Sequence, residues 1–219
     1  MIFKECLEKR FSCRDFIDYE LSEDELIKIV ELAKLSPSAT NMQPAKLSFF
    51  SGNALIKLSD DLFFALNNGL KSQDVKLYPN TWFEPYKSRR FETGLRLYEA
   101  LGIKRDDKQK RLEQWHKNYK FFNAKNLAIL HIDKGLSEGS LLDAGIFLAN
   151  FLNAATSLGY DTCVLGSVAE YCDTIRANGV DGIIICAIAI GKKSDDVVNN
   201  FRTTRAKNEE IIKFIKEIK

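Results

Sequence analysis

Leu35-Ser36-Pro37-Ser38-Ala39-Thr40-Asn41-Met42-Gln43-Pro44 lies between a strongly patterned helix and a short apolar strand, Leu47-Ser48-Phe49-Phe50. Two prolines among small hydroxyl and amide side chains do not build core. They build a stiff loop whose backbone and short polar groups are free to meet a ligand. Asn41 and Gln43 alternate, and primary amides both donate and accept, which suits a flat heterocycle edged with carbonyls and ring nitrogens. Pro37 and Pro44 lower the ordering cost of such binding. The alternative is a plain helix-to-strand connection.

The helix before the loop opens at Ser22, where Glu25 three residues later completes a capping box. Leu26, Ile29, Val30 and Ala33 follow at helical spacing, and Pro37 stops the helix. Further upstream, a short amphipathic helix over Phe3 to Lys9 leads into Arg10-Phe11-Ser12-Cys13-Arg14. In an extended segment Arg10, Ser12 and Arg14 point to one side. Two guanidiniums flanking a hydroxyl suit a phosphate; a solvated basic turn is the alternative.

Downstream, Asn53 is expected to cap a helix carrying Leu55, Leu58, Leu62 and Leu66 on one face. From Gly69 to about Lys87 the pattern breaks into an aromatic, proline-bearing loop. Two charged helical stretches follow, roughly 88–101 and 107–121, without an apolar face broad enough for a deep core helix. Residues 69–125 therefore read as a lid or partner-covering excursion from a single domain spanning 1–219. Strand character returns at Asn126–Ile132, Asp161–Gly166 and Ile183–Ile190, between helices at 141–158 and 168–178, and a last helix is expected over 208–219. The 141–158 helix is apolar nearly all round, so it must be buried on more than one side, and an oligomer interface is a natural place. The class is α+β or α/β, with strands covered by helices. Leu165-Gly166 ends a strand, where a bare backbone N–H can approach a ligand or simply turn. Arg202 and Arg205 are a second phosphate contact or exposed tail charges.

Composition sets limits on function. The chain of 219 residues is 45% hydrophobic and 28% charged, ordinary for a packed globular protein. A net charge of +2 is too small for a general nucleic-acid binder. The charge is uneven: 84–125 holds twelve Lys/Arg and six Asp/Glu, a local +6 against −4 elsewhere. Cys6, Cys13, Cys163, Cys172 and Cys186 show no CxxC spacing, so neither a disulfide framework nor a metal site is indicated. Asp143, Asn150 and Asn153 within the longest apolar run argue against a membrane span. With no leader signature, a reduced, cytoplasmic protein is expected. His116 and His131 lack metal-ligand or nucleophile partners, and no glycine-rich phosphate signature is present. Chemistry, if any, belongs to a cofactor rather than to a catalytic side chain.

Arg10–Arg14, Leu35–Pro44, the apolar helix leading into Leu158-Gly159-Tyr160-Asp161-Thr162-Cys163, the turn at Leu165-Gly166, and Ile188-Ala189-Ile190-Gly191 before a basic tail resemble, in this order, the nitroreductase family of flavoproteins. The resemblance implies an α+β three-layer sandwich, with a mostly antiparallel central sheet flanked by helices, in an intertwined homodimer with FMN at the interface. Arg10, Ser12 and Arg205 would grip the ribityl phosphate, and Arg14 would sit near the flavin N1 and O2. Pro37, Ser38, Ala39, Asn41 and Gln43 would line the flavin from the partner subunit; Leu165 and Gly166 would also bind the cofactor, with the Gly166 N–H near N5. The implied activity is ping-pong hydride transfer from NAD(P)H to a nitroaromatic, quinone or similar small-molecule acceptor. Relatives that consume their own flavin (flavin destructases), reductive dehalogenases and a non-catalytic flavin-binding module are the alternatives. Ala45 departs from the family, which often has tryptophan there, and the 69–125 excursion resembles a subgroup with a Trp-x-Glu-Pro-Tyr-x-Ser-Arg-Arg segment. The excess charge of the excursion favours NADPH over NADH.

Overall fold

In the computed structural model, which describes residues 2–216, four strands form one antiparallel sheet. They are β1 (Lys46–Phe50), β2 (Asn126–Ile132), β3 (Asp161–Leu165) and β4 (Ile183–Gly191), in the order β1-β2-β4-β3. The uninterrupted apolar run of β4 is explained by helices on both faces. On one side lie α3 (Gly52–Asn67) and α7 (Cys172–Ala177), and on the other α2 (Glu23–Ala33) and α6 (Gly139–Ser157). The architecture is an α+β three-layer sandwich.

Side chains alternate between these two cores as the pleat requires. Leu127 and Ile129 of β2 join the α3 layer, while Ala128 and Leu130 join the α2–α6 layer. In β4, Cys186, Ile188 and Ile190 face α2 and α6, yet Ile184, of the same parity, faces α3. The register shift opposite Leu130 and His131 accounts for this. One extra residue at 185 inverts the facing of everything before it.

The capping box at Ser22 forms as expected, with Glu25 closing back on Ser22 N. Glu25 also accepts from Tyr19 (2.6 Å) and Tyr160 (2.5 Å), tying the α2 start to the end of α6. These hydroxyls, Tyr160 first, hold the Glu25 carboxyl down to about 2. A depressed carboxylate contributes stability that is present above its unfolded value of about 4.5 and is lost as pH falls toward 2. Glu25→Gln is therefore expected to lower the urea midpoint at pH 7, with the gap to the parent closing between about pH 4.5 and 2. A gap independent of pH would contradict the assignment.

Several boundaries differ from the sequence expectation. Helix α3 starts two residues early, with Ser51 at its N-cap, and Asn53 lies inside it. The 107–121 helix is cut to α5 (Lys108–His116) because buried Tyr119, Phe121 and Phe122 pull the following turn into the core. The 168–178 helix divides into a short 3-10 turn and α7. The last helix is only α8 (Asn208–Ile211); 212–216 is non-helical, and 217–219 lie outside the described residues. Ile211, Phe214 and Ile215 keep helical spacing but are exposed, so no packing supports a longer helix. Helix α6 is buried on one face only within this chain: Phe147, Phe151 and Ala155 are covered, whereas Leu142 is 70% exposed.

The excursion is anchored at its root and exposed in its middle. Ser72 pairs with Glu170 and Cys172 backbone, and Asp74 binds both Arg176 and Ile184 N. Helix α4 (Tyr86–Ala100) buries no residue at all.

Candidate active site

The Arg10–Arg14 segment follows α1 (Phe3–Lys9) and runs as an extended strip beside β3. Ser12 bridges Thr162 in parallel, and Cys13 N donates to Thr162 O at 2.9 Å. Period two decides its two sides. Phe11 and Cys13 enter the α3-side core, leaving Arg10, Ser12 and Arg14 half-exposed on the other side. Burial pushes the Cys13 thiol up to about 12, so it is core rather than a nucleophile.

The chain's tail returns to the same place. Asn199 Oδ1 accepts from Arg14 N at 2.9 Å, and Arg202 stacks over the Phe11 ring at 3.9 Å. Arg14 is folded against its own strip, donating to Ser12 O at 3.2 Å, with its guanidinium 5.7 Å from the Phe201 ring centroid. Partial burial, and then the nearby charge of Arg205, lower the pKa of Arg10. Among the described residues no carboxylate lies within ion-pair distance of Arg10, Arg14, Arg202 or Arg205. Asp161 is near enough to feel the charge of Arg202, but cations with no carboxylate in ion-pair contact suit a phosphate dianion. These residues fit the phosphate end of FMN.

The 37–44 loop sits elsewhere, on the α2–α6 side. A 3-10 turn spans Ala39–Asn41, and Thr40, Asn41 and Gln43 adopt left-handed φ of 49°, 59° and 50°. Ser38 Oγ accepts from Gln43 N at 2.9 Å, and Gln43 Nε2 donates to Asn41 O at 3.2 Å. The Ala39 N–H is taken by Asp143. Beneath the loop is a cavity of about 270 Å³, lined in part by Pro37, Ser38, Gln43, Pro44, Asp143 and Phe147. No hydrogen bond or ion pair among the described residues joins this loop to the Arg10–Arg14 strip. The loop is held by α6, whereas the strip runs beside β3.

Leu165 is buried, so its side chain belongs to the α3-side core and only its backbone is left to meet a ligand. At Gly166 an added Cβ would meet Leu77 Cδ1 at 3.0 Å, with the Tyr78 hydroxyl at 3.8 Å. The excursion therefore lies against the end of β3. Sequence reasoning did not assign Asn199, Asp143, Leu77 or Tyr78. Asp143 and Asn150 stood out only as polar residues in an apolar helix, and their seven-residue spacing was the available signal.

His131 is a strand residue bonded to Ser48 (3.1 Å), and the His116 ring packs edge-on against Phe63. Among the described residues no group of three metal-ligating side chains occurs, and no helix is long and apolar enough to cross a membrane.

The model of the nitroreductase family matches residues 7–192. A 4-nitrobenzoate reductase from Nocardioides sp. (strain LMS-CY) is 29% identical over 196 residues, covering 86% of this chain and 79% of the relative. The crystal structure of the FMN and NADPH-dependent nitroreductase NfnB from Sphigopyxis sp. strain HMH superposes with a TM-score of 0.94 at 29% identity, covering 99% of this chain and 100% of that one. The FMN-dependent nitroreductase NfnB from Mycobacterium smegmatis, solved in complex with NADPH, gives 0.91 at 28% identity, covering 97% of each chain.

Proposed function

The chain belongs to the nitroreductase family, and from that footing we propose that it is an FMN-dependent NAD(P)H oxidoreductase reducing nitroaromatic, quinone or similar acceptors. The observation that carries this reading is the pairing of Arg10 with the charge of Arg205 next to the Ser12 bridge to β3, with no carboxylate in ion-pair distance among the described residues. Arg10, Ser12 and Arg205 hold the ribityl phosphate, with Arg10 and Arg205 relieved of their mutual repulsion by it. When bound, FMN accepts hydride from NAD(P)H and passes it to the acceptor. Arg14 supplies the fixed cation near the flavin N1 and O2, where negative charge grows on reduction. The backbone at Leu165 and Gly166 borders the N5 side.

Two copies complete the site. Pro37, Ser38, Ala39, Asn41 and Gln43 of one copy wall the flavin bound to the strip of the other; in support, the loop of one chain is held by α6 while its strip runs beside β3. The open face of α6, with Leu142 uncovered, supports a homodimer. Residues 69–125 act as a lid within the single domain and select the acceptor, since Leu77 and Tyr78 already reach Gly166. Their surplus of cations favours NADPH as donor. Five free, buried thiols support action in a reducing, cytoplasmic compartment.

The test is spectroscopic. The protein reconstituted with FMN should be yellow, bleach anaerobically with NADPH, and recover its colour when 4-nitrobenzoate is added. A protein that takes up no FMN would overturn the reading. Destruction of the chromophore in air, in place of its recovery, would point to a flavin-consuming reaction instead.

A further inference from the structure

Three non-glycine residues in left-handed conformation within four positions form a strained turn, each less favourable than ordinary backbone by on the order of 1 kcal/mol. Such a turn persists only where its surroundings over-determine it. Among the described residues, two side chains from outside the loop hydrogen-bond to it. Both carboxylate oxygens of Asp143 accept from Ala39 N at 3.2 Å, and Asn150 Nδ2 donates to Ser36 Oγ at 2.8 Å. Ser36 Oγ in turn donates to Ala33 O at 2.6 Å, closing the end of α2.

Asp143 and Asn150 are seven residues apart on α6, two helical turns, and so lie on one stripe. Phe147 stands between them, buried and lining the cavity under the loop. An acid, a ring and an amide on one helix face thus meet the loop at its 3-10 turn, its underside and its start. Asp143 is only 5% exposed, and a buried carboxylate in an otherwise apolar helix is costly unless it is partnered. Its protein partner here is the loop backbone. A helix needing only to pack would carry an apolar residue at this position.

We propose that Asp143 and Asn150 are positioning residues that hold the 36–43 loop in its ligand-binding shape, so that the wall offered to the cofactor is set before binding. This rests on the FMN reading above for its ligand, but the holding itself is a property of the free protein. Pre-forming a strained wall removes its ordering cost from the binding step.

The experiment uses the full chain with Asp143→Ala, Asp143→Asn and Asn150→Ala, the last serving as the milder change should Asp143→Ala fail to fold. Hydrogen exchange of the 38–43 amides is followed without FMN, and FMN affinity by quenching of its fluorescence. Flavin reduction by NADPH is then timed at saturating FMN. Asp143→Ala should speed exchange at Ala39 and weaken FMN binding, each by about tenfold or more, with slower reduction even when loaded. Asp143→Asn keeps an acceptor oxygen and should remain within about threefold of the parent on each readout. Asn150→Ala should move the same readouts in the same direction as Asp143→Ala.

Unchanged exchange at 38–43 together with unchanged FMN affinity in Asp143→Ala and Asn150→Ala would overturn the proposal. So would faster exchange spread evenly over β2 and β4, which marks plain destabilisation. If the parent binds no FMN, the flavin reading fails, while the exchange measurement still decides the holding role.

Discussion

Arg10→Ala and Arg205→Ala should each weaken FMN binding by about 1.5–3 kcal/mol, roughly 10- to 150-fold, while leaving the FMN-free protein no less stable. The charge of Arg205 disfavours the partly buried Arg10 cation, and among the described residues no carboxylate lies within ion-pair distance of either. Removing either from the free protein relieves repulsion. Removing either from the complex deletes a charge-assisted bond to a dianion. The sign of the effect therefore reverses with ligand, which a surface salt bridge would not do. Because both act on one phosphate, the double variant should lose less than the sum of the single losses. Thermal unfolding with and without FMN, beside fluorescence titration, reads both halves. A fall in the melting temperature of the FMN-free protein with unchanged FMN affinity would contradict the assignment.

Gly182→Ala should destabilise the fold by at least about 3 kcal/mol, on the order of 6–12 °C in melting temperature for a chain of this size. Gly182 has φ +99°, and a Cβ there would lie 2.3 Å from Ile132 O, a backbone atom at the end of β2, and 3.3 Å from His131 Nδ1. This is where β4 enters the sheet just before its register shift, and Ile183 pairs with Ile132. Neither strand can retreat without breaking that pairing. Gly179→Ala is the control: φ is +92°, but nothing lies within 4 Å of the added carbon, so only the conformational strain of about 1–2 kcal/mol applies. Equal losses in the two variants would show that the contact with Ile132 does not matter.

Features written within a few residues of sequence were legible in advance. The period-two Arg10, Ser12 and Arg14 strip is set by alternation alone, with Phe11 and Cys13 turning inward. The Ser22–Glu25 capping box is likewise a matter of spacing. Long-range partners were not legible. Nothing local says that Asn199 holds the Arg14 amide from 185 residues away, or that Asp143 is addressed to Ala39. Apolar continuity in β4 concealed both its antiparallel pairing and the inversion at 185, because a strand covered on two faces loses the alternation that would reveal either. In the tail, Ile211, Phe214 and Ile215 imitate a helix face, but periodicity reports a surface to be buried and not what buries it.

On the proposed function, one FMN site is assembled from the Arg10–Arg14 strip of one copy and the 37–44 loop of another. Co-expression of two differently tagged chains tests it, one carrying Arg10→Ala and the other with its loop wall blocked by Asn41→Trp. Each variant alone should fail to retain FMN. In the mixed dimer, one site combines both defects and the other combines both intact halves, so the mixed species should hold about one FMN per two chains and bleach with NADPH. Mixed dimers that retain no FMN would contradict the account, because a site built within a single chain would be broken in both copies.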